Sequence, residues 1–342
     1  MTFSAASRPL YSHTQLSRYF DHIRLPHRYR TLKPTQAKTR DGLAFLNRLQ
    51  RYQLASVPWE NLSKHYSASL VPVTAQLGAE ELYKKVVGST VAGRSLAKDG
   101  EKGGPWDGGG GRGGGCLENN AFMGTVLRSL GFDCYPGGGR VHMGGGEWTG
   151  WEHMVNFVMI EGQKYKIDVG FGLNGPIQAV PLEENHIQRN IDPSSILLIQ
   201  SHIAPQTEPA QKLWLYQSRV NDHGDWNDVY CFAETEFIPQ DFESMTVSTS
   251  FRRNSFFSFS IAMCRMIMAG EVGDSSVEED ELIGTVMLTT KEAKVRIRGK
   301  VVEQVEFESE ADRLNALRKY FGIGFGEVEK NNVKGTAVTL QT

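Results

Sequence analysis

Cys116, His153 and Asp168 supply a thiol, an imidazole and a carboxylate, the three groups that nucleophilic acyl chemistry combines. A thiolate attacks a carbonyl. The imidazole takes the thiol proton and later activates the incoming nucleophile, while the carboxylate fixes the imidazole tautomer and stabilises its charge. Spacing argues that His153 and Asp168 meet. Glu161-Gly162 separates two strand-like runs, Trp151 to Ile160 and Gln163 to Val169, as a two-residue hairpin loop would. If Ile160 pairs with Gln163, then Val155 lies opposite Asp168 and His153 opposite Gly170. His153 and Asp168 then share one face as diagonal neighbours, roughly 7–8 Å apart at Cα and within reach of each other. A three-residue loop would put them on opposite faces. Read singly, each has an ordinary explanation: a buried thiol, a strand histidine, a turn carboxylate. Read together, behind a glycine run, they favour nucleophilic catalysis.

The elements that must hold these residues follow from periodicity. Met123, Val126, Leu127 and Leu130 recur at helical spacing after Cys116, Leu117 and Ala121 widen the apolar face, and Gly131 stands where a C-cap is expected. Cys116 is thus placed at a helix N-terminus, where unpaired N–H groups and the dipole favour an anion. The glycines before it let backbone N–H groups approach a reacting centre, as an oxyanion hole requires. The first ninety residues read as mainly helical. One helix spans Ser12 to Ile23, a second is capped by Asp41, and a third covers Ala79 to Val87, with a break at Val57-Pro58-Trp59-Glu60-Asn61-Leu62. Residues 88–111 read as an exposed glycine-rich loop. Its G-x-G-x-x-G spacing follows no strand and precedes no GK[ST], so it is not read as a nucleotide fingerprint. Beyond Cys116 the pattern turns to strands: Arg140 to Met143, the hairpin above, short extended pieces from Pro176 to Ser201, and two strands within Leu213 to Phe237. Core strands are expected in Phe256 to Met268, in Leu282 to Thr289 and within Val295 to Phe307, followed by a final helix from Glu310 to Phe321.

Composition bounds the rest. The chain has 342 residues and a net charge of −2, which gives no electrostatic case for nucleic acid or a membrane surface. No apolar leader opens it and no run approaches the ~18–20 apolar residues of a membrane span. The cysteines 116, 134, 231 and 264 are far apart and form no CxxC pair, which implies free thiols in the cytoplasm and no zinc site.

With these residues in view, the chain resembles the arylamine N-acetyltransferase family, in particular its eukaryotic, fungal-type members. Arg112-Gly113-Gly114-x-Cys116 with Asn120 resembles the nucleophile motif, and Val57-Pro58-Trp59-Glu60-Asn61-Leu62 the VPFENL segment. Thr149-Gly150-x-x-His153 and Asp168-Val169-Gly170-Phe171-Gly172 resemble the histidine and aspartate motifs. Asp241-Phe242-Glu243-Ser244-Met245 and Leu282-Ile283-Gly284 resemble later segments. The resemblance implies an α+β protein with a cysteine-protease-like Cys-His-Asp site: an N-terminal helical bundle over 1–90, the glycine-rich loop, nucleophile helix and β-barrel over 91–210, and a C-terminal α/β lid over 211–342. It implies ping-pong acyl transfer from acetyl- or malonyl-coenzyme A to an arylamine or hydrazine through a thioester on Cys116, as in detoxification of xenobiotics, with no metal. By analogy Thr149 and Gly150 contact the coenzyme, and Phe171 lines the amine pocket. Thr149-Gly150 is equally a good turn, and Phe171 equally a core residue.

Departures from the family pattern carry their own expectations. Gly115 stands where an aromatic residue is common, which opens the substrate wall beside the nucleophile, and Glu118 stands where glutamine is common. Arg252 and Arg253, with Ser255, replace a less charged stretch near the expected coenzyme site. They read either as a solvated turn or as an anchor for a phosphate or a malonyl carboxylate. Two rival functions stay open: a cysteine peptidase or amidase using the same three residues, and a non-catalytic binding protein of the same fold. The amine, the acyl chain and the oligomeric state are not legible.

Overall fold

The structure is a computed structural model, and it describes residues 8–66, 77–87, 112–251 and 256–340. The expectations for the loop at 88–111 and for Arg252, Arg253 and Ser255 lie outside the described residues. Helix α1 (His13–His22) is entered through Ser12, whose hydroxyl accepts from the Gln15 N–H while the Gln15 side chain accepts from the Ser12 N–H. Helix α2 (Arg40–Ser56) has Thr39, not Asp41, at its N-cap position, and no side chain caps it there. Asp41 falls in the first turn, where its charge suits the helix dipole without capping an N–H. The chain leaves α2 at Val57 because Pro58 disfavours helical geometry before it, and β1 (Trp59–Glu60) and the short α3 (Ser63–Tyr66) follow. Helices α4 (Ala79–Val86) and α5 (Cys116–Ser129) complete this layer. Phe122, Met123, Val126 and Leu127 of α5 are buried against Tyr11, Tyr19 and Leu46, which fixes the helix and so the position of its first residue. Gly131 ends it with φ +89°, a conformation that favours glycine.

Two antiparallel sheets follow. The larger contains β2 (Asp133–Gly144), β3 (Glu147–Trp148), β4 (His153–Ile160), β5 (Gln163–Ile167), β6 (Val180–Pro181), β7 (His186–Arg189), β8 (Ser195–Ser201), β9 (Leu213–Arg219) and β10 (Asn227–Glu236). Its order is β6-β5-β4-β2-β10-β9-β8-β7, with β3 paired to β2. Val180 of β6 shares one buried cluster with Ile196 and Leu198 of β8 and with Val155, Tyr216 and Tyr230, so the sheet curls into a barrel. Ile160 pairs with Gln163, and Glu161 and Gly162 take φ values of 50° and 80°, the two left-handed positions of a type I′ turn. This sheet runs on to Glu236, past the boundary expected at 210. Residue order does not reveal that β10 returns to pair with β2.

After α6 (Pro239–Phe251) and α7 (Phe256–Phe259), the smaller sheet is built from β11 (Ala262–Met268), β12 (Leu282–Thr289), β13 (Glu292–Ile297) and β14 (Lys300–Glu306), with β1 on its edge beside β11. Helix α8 (Glu310–Phe321) lays Leu317, Tyr320 and Phe321 into the core of that sheet. The strand expected from Phe256 starts at Ala262, since Phe256–Phe259 forms a helical turn. The Glu310 helix is followed by one more, α9 (Glu327–Asn331). Among the described residues no helix is long and apolar enough to cross a membrane.

Candidate active site

The site forms where the N-terminus of α5 meets β4 and the segment after β5. Gly113 and Gly114 take the chain past β1 into α5. A Cβ on Gly113 would lie 1.7 Å from the Pro58 carbonyl oxygen, so only glycine fits there. The Glu60 N–H donates to the Gly114 carbonyl at 3.0 Å, and Asn119 Nδ2 donates to the Pro58 carbonyl at 3.2 Å. Arg112 closes the clasp: its Nε donates to Glu60 Oε1 at 2.9 Å and its Nη2 to Ser63 Oγ at 3.0 Å. Burial works against the Glu60 charge, yet Arg112 and Lys85 hold its carboxyl below the usual value.

Cys116 is the first residue of α5, behind Gly115 at the N-cap. Glu118 turns back to accept from the Gly115 N–H at 2.9 Å and from Lys85 Nζ at 2.6 Å. Its charge is therefore committed to the helix cap and to a lysine. The Cys116 thiol is half-buried and donates to the Glu152 carbonyl at 3.4 Å. Burial pushes the thiols of Cys134, Cys231 and Cys264 each up to about 12.

His153 opens β4 and is almost fully buried. Its Nε2 lies 2.8 Å from Asp168 Oδ2. A carboxylate only accepts, so Nε2 carries a proton and Nδ1 is the nitrogen left to engage Cys116, whose sulfur acts on the ring and favours its charged form. Burial disfavours the imidazolium, but the Asp168 charge beside it and the bond to Cys116 hold His153 up to about 9. Asp168 is fully buried and four donors satisfy it. His153 Nε2 and the Tyr230 hydroxyl reach Oδ2, each at 2.8 Å, while Asn120 Nδ2 and the Gly170 N–H reach Oδ1, each at 2.9 Å. Burial would raise its pKa, and the His153 and Lys166 charges with the Asn120 bond hold it well below the carboxylate range. His153 and Asp168 are thus joined directly, and Cys116 is near enough to act on the imidazole.

The remaining expected residues are placed as follows. Phe171 meets the His153 ring edge-on at 5.1 Å and stacks on Tyr230 at 4.6 Å, so it is one wall of the imidazole's surroundings. Among the described residues a Cβ on Gly115 would meet only Glu118 Oε2, at 4.0 Å, so the position just before the nucleophile has room for a side chain. The Thr149 hydroxyl accepts from the Val141 N–H at 2.9 Å and donates to the Gly150 carbonyl at 2.8 Å, and both residues sit in the turn before β4. Thr149 also lines a cavity of about 270 Å³ with Arg140, Trp148 and Trp151, in which the Arg140 guanidinium lies 4.2 Å over the Trp151 ring. Among the described residues no group of three or more His, Cys, Asp or Glu is arranged to hold a metal ion.

Three partners of the site carry no role in the sequence reading. Asn120 lies one turn after Cys116, a spacing that would have pointed it to the same side of the helix. Lys166 lies two residues before Asp168, a polar residue on the same strand face. Tyr230 comes from β10, and no local signal joins it to the hairpin.

A family model described as N-acetyltransferase matches residues 109–330. The N-malonyltransferase FDB2 of Gibberella moniliformis is 32% identical over 355 residues, covering 96% of this chain and 93% of its own. The arylamine N-acetyltransferase of Mycolicibacterium smegmatis is 25% identical over 320 residues, covering 90% and 94%. Among solved structures, the Salmonella typhimurium arylamine N-acetyltransferase aligns with a TM-score of 0.71 at 21% identity, covering 94% of this chain and 98% of its own. The Mycobacterium marinum arylamine N-acetyltransferase in complex with CoA aligns with a TM-score of 0.69 at 20% identity, covering 96% and 100%. At such identities these two likenesses are of fold.

Proposed function

The chain belongs to the arylamine N-acetyltransferase family and is an acyltransferase, and we propose that it moves an acyl group from acyl-coenzyme A to the nitrogen of an arylamine or hydrazine through a thioester on Cys116. The observation that carries this reading is the His153 imidazole joined to the Asp168 carboxylate, with Nε2 2.8 Å from Oδ2, and Cys116 near enough to act on the ring. In the first half-reaction His153 takes the thiol proton and the sulfur attacks the acyl carbonyl. The helix N-terminus favours the charge that develops on oxygen, and the coenzyme thiolate leaves with the proton. In the second half-reaction the amine attacks the thioester carbonyl, His153 accepts the amine proton, and the Cys116 thiolate departs. Asp168 orients the ring throughout, since its own four donors leave it no freedom to turn.

The coenzyme supplies the activated acyl group. The residues we assign to hold it are Thr149 and Gly150 with Arg140, at the cavity whose Trp151 wall also packs in the cluster around Cys116. A guanidinium over an indole suits a phosphate or a planar base. Phe171 and the room at Gly115 are assigned to the amine. Arg252, Arg253 and Ser255 are assigned, on sequence alone, to the coenzyme or to a malonyl carboxylate. The malonyl alternative draws support from the relative named for that transfer.

Initial rates over a matrix of acetyl- or malonyl-coenzyme A against one simple arylamine test the mechanism. Parallel double-reciprocal lines are expected. Intersecting lines would replace the thioester with a ternary complex. Competition between the two donors decides the acyl group, and clear preference for acetyl-coenzyme A would remove the malonyl assignment.

A further inference from the structure

Lys166 lies on β5, two residues before Asp168, and its side chain is fully buried inside the barrel. Its ammonium donates to the Tyr230 hydroxyl and sits over the rings of Tyr216, Tyr230 and Phe232 at 4.0, 4.7 and 5.4 Å. Tyr230 donates in turn to Asp168 Oδ2, the oxygen that also accepts from His153. Buried lysines are rare unless paired, and among the described residues no carboxylate touches this one. The nearest anion is Asp168, one hydroxyl away. The surrounding cluster of Val155, Phe157, Val180, Ile196 and Leu198 would accept an apolar side chain at no desolvation cost. The acyl-transfer steps do not use an amine here. A charge kept at such cost, connected by hydrogen bonds to the carboxylate and through it to the imidazole, acts on the site electrostatically.

We propose that Lys166 is a positioning residue for this site: its buried charge, relayed by the Tyr230 hydroxyl, offsets part of the Asp168 charge, so that His153 stays oriented yet can release its proton and serve as a base. The proposal rests on the reading of His153 as the base of acyl transfer. The titratable groups facing Lys166 are Asp168 from its own segment, Tyr230 from β10 and Tyr216 from β9. Burial pushes both tyrosines far above their ordinary value, so they stay neutral through the working range. Burial also pulls the Lys166 ammonium down to about 7, against the attraction of Asp168, so its charge is lost within an accessible window.

The test is the titration of His153 followed by ¹³C NMR on ring-labelled histidine, in wild type and in Lys166→Met. Loss of a positive charge close to the ring makes the imidazolium easier to form. Because Lys166 holds its charge only up to about pH 7, the low-pH limb of the His153 titration is expected to change: the neutral fraction at and below pH 7 should fall by up to about tenfold in the variant, for a charge a few ångströms away in a partly screened interior, with the midpoint near 9 in place. The base-catalysed aminolysis of acyl-enzyme near pH 7 should fall about tenfold with it. Wild type should show a second inflection of the His153 signal near pH 7, where Lys166 loses its proton, and the variant should lack it. A merely structural lysine would alter the melting temperature and leave both curves in place. Superimposable titrations, or a wild-type signal without the second inflection, would overturn the proposal, the latter even if the variant does not fold. Because the titration needs no turnover, it still reads Lys166 if Cys116 never acylates, an outcome that would sink only the acyl-transfer reading.

Discussion

The side-chain amide of Asn120 donates to Asp168 Oδ1 at 2.9 Å from the helix that carries Cys116 one turn earlier. The same amide donates to the Met154 carbonyl at 2.6 Å, and its oxygen accepts from the Val169 N–H at 3.0 Å. One side chain thus ties the nucleophile's helix to both strands of the hairpin. Asn120→Ala strips a partner from three buried groups, at about 1–3 kcal/mol for each one left unsatisfied. A clear drop in melting temperature is expected, and with it a fall in kcat/KM of about a hundredfold, since small misplacements of reacting groups carry that cost. Calorimetry and steady-state rates on the same preparation check both.

The clasp in front of the nucleophile rests on a buried charge. Glu60 is held by Arg112 at 2.9 Å and is almost wholly buried. Arg112→Ala removes the ion-pair partner of that carboxylate and should destabilise the fold by about 3–5 kcal/mol. The double change Arg112→Ala with Glu60→Gln should recover part of the loss, because no buried carboxylate then lacks its ion-pair partner. Urea unfolding of the single and double variants measures the difference.

Two glycines of the site should answer substitution in opposite ways. A Cβ on Gly170 would lie 2.6 Å from the Cys116 carbonyl oxygen and 2.6 Å from Asn120 Nδ2, where α5 cannot yield without moving the sulfur. Gly170→Ala should cut acylation of Cys116 by at least about tenfold, through misplacement of the nucleophile. Among the described residues Gly115→Ala meets only Glu118 Oε2, at 4.0 Å, and it should leave stability within about 0.5 kcal/mol. Single-turnover acylation and thermal unfolding of the two variants separate the effects.

Stability should depend on pH through two groups of opposite sign. The folded His153 value of about 9 lies above its ordinary 6.5, so its contribution is complete below about 6.5 and is lost as pH rises toward 9. Lys166, held down to about 7, destabilises when it must carry charge, so its cost fades as pH rises from 7. The two offset each other in wild type between pH 7 and 9. In Lys166→Met the His153 contribution stands alone, and the unfolding midpoint should fall more steeply across that window than in wild type. Denaturant unfolding at closely spaced pH values gives both slopes, and equal slopes would contradict the assignment.

Much of the site was legible because it is local. The Glu161-Gly162 turn sets the register of β4 and β5, and register alone brings His153 and Asp168 to one face. Helical spacing after Cys116 locates the N-terminus of α5 for the same reason. What the sequence hid is long-range. Tyr230 reaches Asp168 because β10 pairs with β2, and the Arg112–Glu60 clasp joins segments on either side of α4. No periodicity encodes such pairings. The boundary expected at 210 stops short of β9 and β10, whose central residues are buried in unbroken runs and which nothing local assigns to either sheet. Lys166 was hidden differently: a lysine on a strand reads as a solvated residue until the barrel closes over it.

The thioester on Cys116 is the centre of this account, and intact-protein mass spectrometry after brief mixing with acyl-coenzyme A, without amine, addresses it directly. The mass should rise by one acyl group, peptide mapping should locate that group on Cys116, and later addition of an arylamine should remove it as the N-acylated product. Turnover of amine by an enzyme that never gains that mass, or a Cys116→Ala variant that keeps its full activity, would contradict it.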